Sequence, residues 1–348
     1  MASRAIIIEN YATSDQAVAS AWTSRMQGIG SILGFLLGSL PRPEIKPRGF
    51  ASEFSILCVL GSALLLISAL VSAFYIKTDF DSVIADRQAA KDRSASFIKG
   101  LSAIPREIWQ IFAIQFFAWL GWFPFRTYYT SWLAETYVIN SPIRSNTADV
   151  ELDLHSRAAR LGSIAGLYLS ITAFVANCVL PFAVTSLNKI SNSNQIVRLP
   201  RKDPEPPTKA MLQVWIASHI YFAIIAFLAG RVGSQIGTVF MISSLGFSWA
   251  VTLWIPFCLI GIILSREQED YLDRAAVGHQ PPQLGLVVGL HNAAISVPQI
   301  LSALICSFTF TTSGDTAEGT LMVLLSGGCW ALVAAFVLWI FFVDLQRI

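Results

Sequence analysis

Eight stretches of the chain are apolar over about the length that crosses a lipid bilayer. They lie at residues 18–40, 54–76, 107–131, 161–186, 211–230, 237–264, 284–310 and 320–343. A transmembrane helix needs roughly 20 mainly apolar residues, and only a helix or a closed barrel satisfies backbone polar groups inside hydrocarbon. A short apolar segment at 5–8 precedes the first stretch. The pattern predicts an all-α polytopic membrane protein with about eight full transmembrane helices and a partial one.

The composition supports a lipid environment. Hydrophobic residues make up 54% of the chain and charged residues 13%, about half the charged share of an ordinary soluble domain. The net charge of +2 comes without a concentrated basic face, so we expect no nucleic-acid partner. The five cysteines stand singly in apolar stretches. They therefore predict small buried hydrophobes, with no metal and no cofactor.

Lysine and arginine counts predict the orientation in the membrane. The connectors at 77–106, 188–209 and 265–282, together with the C-terminal tail, hold 14 basic residues. The connectors on the other side, at 41–53, 132–160, 231–236 and 311–319, hold 7. Because basic residues are enriched on the cytoplasmic side, we expect residues 77–106 and the C-terminus to be cytoplasmic.

The segment QFFAWLGWFPFRTYYTSW at 115–132 carries a polar and aromatic stripe through an apolar helix. Its members are Gln115, Trp119, Trp122, Arg126 and Tyr129, which share one helical face. One interpretation is a packing seam, with the arginine reaching the lipid headgroups. The other is the wall of a sugar-binding cavity, in which indole rings face the C–H side of a pyranose. The stripe by itself does not decide between them.

A second stripe lies in the 284–310 stretch, where Asn292, Ser296 and Gln299 fall on one face and His291 stands beside them. Two amides on one face favour a cavity, because they need more partners than packing provides. His291 alone favours a structural histidine over a proton relay.

Two patterns of small residues indicate helix packing instead. They are the Ser163, Gly166, Ser170 and Asn177 face, and the Gly30, Gly34 and Gly38 seam.

Three segments resemble the sucrose/maltose (α-glucoside):proton symporters, fungal type. This family belongs to the glycoside–pentoside–hexuronide branch of the major facilitator superfamily. The segments are RAIIIEN at 4–10 with SDQAVASAWTSRMQGIGSILGFLLGSL at 14–40, QFFAWLGWFPF with YYTSWLAETY within 115–137, and LGLVVGLHNAAISVPQILSAL at 284–304. The resemblance implies the major facilitator superfamily fold, which is built from two six-helix halves.

The resemblance also implies roles for single residues. Arg4 and Glu9 match the family's basic and acidic pair that couples the proton, although the family acid is usually an aspartate. Trp119, Trp122 and Phe125 match its aromatic run in the sugar pocket, and Asn292 and Gln299 match its polar stripe. Glu135 matches an acid at the extracellular helix end. Arg126 departs from the family, where an aliphatic residue is expected.

The family's first three helices have no counterpart in the chain, so we expect an N-terminally truncated form. The expected domains are a remnant of the N-terminal bundle at 1–76, a central cytoplasmic loop at 77–106 and a C-terminal six-helix bundle at 107–348. The resemblance implies transport of a disaccharide with a proton, most simply at the plasma membrane and alternatively at a vacuolar membrane. A different function is a non-transporting sugar sensor, or a half-transporter that associates with a full-length symporter. No catalytic motif favours an enzyme.

Overall fold

The computed structural model describes residues 16–40, 53–75, 100–141, 148–193, 207–273, 284–314 and 316–347. Within these ranges the regular structure is helical. The helices are α1 (Gln16–Ser39), α2 (Glu53–Tyr75), α3 (Arg106–Ile139), α4 (Ala148–Ser193), α5 (Thr208–Leu228), α6 (Gln235–Ser244), α7 (Gly246–Asp273), α8 (Leu284–Ser313) and α9 (Ala317–Leu345). A 3₁₀ turn, Ala229–Arg231, follows α5.

Six helical segments in the described ranges are long and apolar enough to cross a membrane. They are Arg106–Ile139, Asp153–Ser186, Thr208–Arg231, Gln235–Gln268, Leu284–Ser313 and Ala317–Leu345. Six of the eight predicted spans are therefore confirmed, and the chain is an all-α multi-pass membrane protein. The other two windows coincide with α1 and α2. Helix α1 is more polar than the six segments, and the described apolar part of α2, Cys58–Val71, is shorter than they are.

The chain divides into two compact units, residues 1–40 with 103–348, and residues 41–102. In the first unit, α3 packs against α4, α8 and α9, and α1 packs against α4 and α7. The Gln235–Gln268 segment is the most enclosed, with 94% of its apolar window buried, against 22% for α8. α7 is therefore the centre of this unit. In the second unit, the described side chains of α2 are exposed.

Local sequence explains several helix ends. The Ser234 hydroxyl accepts a hydrogen bond from the Gly237 amide at 3.0 Å, and the Thr316 hydroxyl accepts one from the Gly319 amide at 3.3 Å. These N-caps begin α6 and α9. Gly314 ends α8 with a φ of 79°, a left-handed conformation that glycine adopts without steric cost.

The structure adds detail to two sequence expectations. The 237–264 window is one span, Gln235–Gln268, and a turn at Leu245 within it separates α6 from α7. Of the predicted glycine seam, Gly38 approaches α4 at Ser163, whereas a Cβ on Gly30 or Gly34 would meet no described atom within 4 Å. Gly28, outside the predicted seam, makes a second close approach to α4 at Phe174. A four-residue spacing alone does not reveal which face of a helix meets its neighbour.

One close backbone crossing joins α3 to α9. A Cβ added at Gly121 would lie 2.6 Å from the Gly327 carbonyl oxygen, and one at Gly327 would lie 2.8 Å from the Gly121 oxygen. The two backbones therefore touch, so even one methyl group forces the helices apart.

We expect Gly121→Ala to destabilise the protein by about 1–3 kcal/mol, the usual cost of overpacking. Thermal unfolding in detergent measures the change. Gly34→Ala is the matched control, because it adds the same methyl group where the described structure has space and a helix gains roughly 0.5–1 kcal/mol from alanine. Equal unfolding temperatures for the two variants would contradict the crossing.

Candidate functional site

An aromatic cluster joins three helices of the first unit. Its members are Trp119, Trp122, Phe125 and Tyr129 on α3, Phe222 on α5 and Trp249 on α7. The ring centroids of Trp249 and Trp122 are 5.0 Å apart, and those of Trp249 and Trp119 are 5.7 Å apart. Edge-to-face pairs at such distances add roughly 0.5–1.5 kcal/mol each beyond burial. The cluster therefore fixes α3, α5 and α7 relative to one another.

Hydrogen bonds hold the orientation of Trp122 within this cluster. Its indole Nε1 donates to the Thr252 hydroxyl at 3.0 Å, and that hydroxyl donates to the Ser248 carbonyl at 2.9 Å. Trp122 is 2% exposed. The Trp122 side chain is therefore held in one orientation in the interior of the protein.

Arg126 points towards the interior of the protein. Its guanidinium carbon lies 4.6 Å from the centroid of the Trp249 ring, a cation–π geometry. Trp249 itself is buried. The charge therefore belongs to the aromatic cluster, and headgroup snorkelling by Arg126 does not describe this structure.

A polar cleft lies directly beside Trp249. It is lined by Ser24, Gln27, Gly28 and Ser31 of α1, Ser170, Ala173 and Asn177 of α4, and Trp249 and Leu253 of α7. It encloses approximately 10 Å³, which is room for about one water molecule. Hydroxyl and amide groups from two helices thus face the edge of the aromatic cluster across one small space.

Several buried polar atoms have no hydrogen-bond partner within the described residues, and two of them, on Ser170 and Asn177, belong to side chains that line this cleft. Among the described residues they include both amide atoms of Gln115, Trp119 Nε1, the Tyr129 hydroxyl, Ser170 Oγ and Asn177 Oδ1. Buried polar atoms in native proteins usually have a partner, and leaving one unpaired in an apolar interior is costly. The arrangement is suited to a polar, hydroxyl-bearing molecule that also offers an apolar face to an indole ring.

The predicted α3 residues come together in the structure, since Trp119, Trp122, Phe125 and Arg126 all contact members of the aromatic cluster. None of these four side chains lines the polar cleft, where Trp249 is the aromatic wall. The three aromatic side chains pack in the cluster around Trp249, and the Arg126 guanidinium contacts its ring.

The predicted residues on α8 lie elsewhere. Asn292 and Gln299 are half-buried and do not line the cleft. The buried face of α8 instead includes His291, whose ring centroid lies 5.6 Å from that of Phe112 and 4.4 Å from that of Phe257. His291 is therefore a packed aromatic of the interior.

The predicted carboxylates are also separate from the cleft. Glu135 is half-buried near the end of α3, and its carboxylate accepts a hydrogen bond from the Thr320 hydroxyl of α9 at 3.1 Å. Arg4 and Glu9 lie outside the described residues, so their predicted roles stay predictions.

Sequence reasoning missed the residues of α7 and α1 that build the site. Trp249 and Thr252 lie in FSWAVTLW at 247–254, and Ser24 and Gln27 precede the glycine pattern of α1. One sequence pattern could have revealed the α7 part of the site, because Ser248 and Thr252 stand one helical turn apart in an otherwise apolar run. Asn177 and Ser170 were assigned to packing, whereas both line the cleft.

Comparison with known proteins reveals several transporters among the relatives, although no protein-family model matches the chain. The general alpha-glucoside permease of Schizosaccharomyces pombe is 26% identical, over 96% of this chain and 68% of that protein. The MFS-type transporter cctQ of Talaromyces islandicus is 30% identical, over 51% of this chain and 68% of that protein.

A plant relative extends the comparison. The sucrose transport protein SUT5 of Oryza sativa subsp. indica is 24% identical, over 83% of this chain. The chain spans 52% of the length of this relative, about half of the plant protein.

Proposed function

Because the chain belongs to the α-glucoside and sucrose transporter family of the major facilitator superfamily, we propose that it carries disaccharides such as maltose and sucrose across a membrane together with protons. The coupled proton would be carried by Glu9 beside Arg4. The plasma membrane is the proposed location.

One observation carries the sugar-binding part of this proposal, namely the unpartnered polar atoms beside the Trp249 ring. A pyranose has hydroxyl groups around its rim and C–H groups on its faces. Ser170 Oγ and Asn177 Oδ1 are buried without hydrogen-bond partners among the described residues, and both side chains line the cleft with Trp249. The hydroxyl groups of the sugar would satisfy these atoms while its C–H face covers the indole.

The size of the cleft limits the proposal. As described it encloses approximately 10 Å³, which is room for about one water molecule. The helices that line it would therefore have to move apart to admit a sugar, and we assign one sugar ring of the disaccharide to the widened cleft. Trp119, Trp122 and Phe125 would hold Trp249 in place. Asn292 and Gln299, which the sequence predicts for the sugar pocket, would contact another part of the substrate, and Glu135 stays a predicted residue of the extracellular end.

The Ser170→Ala variant tests the site. Because its hydroxyl has no partner in the described structure, its removal should leave stability unchanged or slightly raised. Maltose affinity should fall about fivefold, the value of one neutral hydrogen bond of about 1 kcal/mol. Calorimetric titration of the purified chain in nanodiscs measures binding, and thermal unfolding measures stability.

Ser218→Ala is the matched control. Ser218 is equally buried, but its hydroxyl donates to the Trp215 carbonyl at 2.8 Å on α5, away from the cleft. It should keep wild-type affinity. Equal binding by the Ser170→Ala and wild-type chains would remove Ser170 from the site. Wild-type chain that neither binds maltose or sucrose nor takes up either sugar in liposomes would overturn the proposed function.

A further inference from the structure

Arg126 carries a positive charge inside the first unit, and no carboxylate among the described residues pairs with it. Ion pairs of the described residues join Arg106 to Asp344 and Arg157 to Asp153, and neither involves Arg126. The Arg126 guanidinium lies over the ring of Trp249. The guanidinium is half-buried within a membrane-spanning helix.

A charge in this position needs hydrogen-bond acceptors to offset the cost of burying it. Arginine within a transmembrane segment is costly, and such residues usually pair with another group or line a cavity. A tryptophan face attracts the cation but offers no oxygen to its five N–H donors. The ligand that best matches a guanidinium is a carboxylate, which accepts two parallel hydrogen bonds.

The position of Arg126 ties this charge to the sugar site. The Trp249 ring contacts the guanidinium and also lines the polar cleft. A disaccharide with one ring in the cleft would extend its second unit along the indole. The charge of Arg126 would then be next to the part of the substrate that leaves the cleft.

We propose that Arg126 makes this site select α-glucosides that carry a carboxylate, with the glucosyl ring in the polar cleft and the carboxylate on the guanidinium. This inference rests on the proposed function, because it assigns the substrate class of the same site. It also gives a role to the one residue at which the chain departs from the aliphatic residue that the family resemblance predicts.

A matched pair of ligands tests the inference. Maltobionate and maltitol have the same α-glucosyl unit and differ only in whether the open-chain unit ends in a carboxylate or a hydroxymethyl group. The purified full chain is titrated with each in nanodiscs of zwitterionic lipid at low salt. The wild-type chain should bind maltobionate about tenfold more tightly than maltitol, because charge-assisted hydrogen bonds are about twice as strong as neutral ones.

Variants then locate the source of that preference. Arg126→Gln should bind the two ligands with equal affinity. Arg126→Lys should keep a preference of about threefold, since lysine retains the charge but loses the two-pronged geometry. Arg231→Gln is the control, because Arg231 is exposed and its side chain donates to the Phe227 carbonyl; it should keep the tenfold preference.

The outcomes separate this inference from the proposed function. If the wild-type chain binds both ligands equally, or binds maltitol more tightly, the inference is overturned while sugar binding stands. A carboxylate preference that survives in Arg126→Gln overturns it as well. If the wild-type chain binds neither of these ligands nor maltose, the proposed function fails and the inference falls with it.

Discussion

Replacing Trp249 by alanine should reduce maltose affinity by about thirtyfold. This corresponds to roughly 2 kcal/mol, the threshold for an aromatic residue that dominates a binding site. Trp249 lines the cleft, contacts Trp119 and Trp122, and lies beneath the Arg126 guanidinium. Its removal would take away the proposed sugar-stacking face. Calorimetric titration with maltose measures the loss.

The same substitution also leaves a cavity, because Trp249 is buried. Loss of a buried tryptophan costs about 3–5 kcal/mol of stability, so a second variant is needed to separate folding from binding. Trp215→Ala removes an equally buried indole on α5, whose aromatic contact is His219 rather than the cluster. At a temperature where both variants stay folded, Trp215→Ala should keep maltose affinity. Trp249→Phe should lie between wild type and alanine. Equal losses in the two alanine variants would mean that Trp249 acts through stability alone.

Glu9→Gln should abolish proton-coupled sugar accumulation and leave sugar exchange intact. A carboxyl group inside a transporter can take up and release a proton, whereas the amide of nearly equal size cannot. Maltose uptake into liposomes under an inward proton gradient should fall to the protein-free level. External alkalinisation on maltose addition should disappear, while exchange of labelled for unlabelled maltose should continue.

Two further variants are controls for this result. Glu9→Asp shortens the side chain by one methylene and keeps the acid, so alkalinisation should persist. Glu318→Gln makes the same chemical change at an exposed position in the first turn of α9, and coupling should be unchanged. If the Glu9→Gln variant shows undiminished alkalinisation, the assignment of Glu9 as the proton carrier is wrong.

Much of the secondary structure could be predicted because its cause is local. An apolar run of membrane length must satisfy its own backbone hydrogen bonds, so it becomes a helix whatever surrounds it. Six of the predicted spans are confirmed on this ground. The α3 stripe was also predictable, since helical periodicity alone places Trp119, Trp122 and Arg126 on one face. Only the kind of residue and its spacing are needed for either prediction.

Which helix packs against each helix face could not be predicted from the sequence, because it depends on contacts between distant parts of the chain. The sequence left open whether Arg126 reaches the headgroups or the interior, and its contact with Trp249 decides for the interior. Asn177 was assigned to packing, but the approach of α1 and α7 to α4 makes it part of a polar cleft. Gly30 and Gly34 have the spacing of a seam and contact no described neighbour.

By itself, the sequence determined that the chain is a helical membrane protein, which residues share a helix face and which family it resembles. Only the tertiary structure decided that Trp249 is the common wall of the aromatic cluster and the polar cleft. The physical reason is steric. Close backbone approaches, such as that of Gly246 to Leu169 and Ala173, set how α7 lies on α4. A periodic pattern along one helix carries no information about the shape of the helix that it meets.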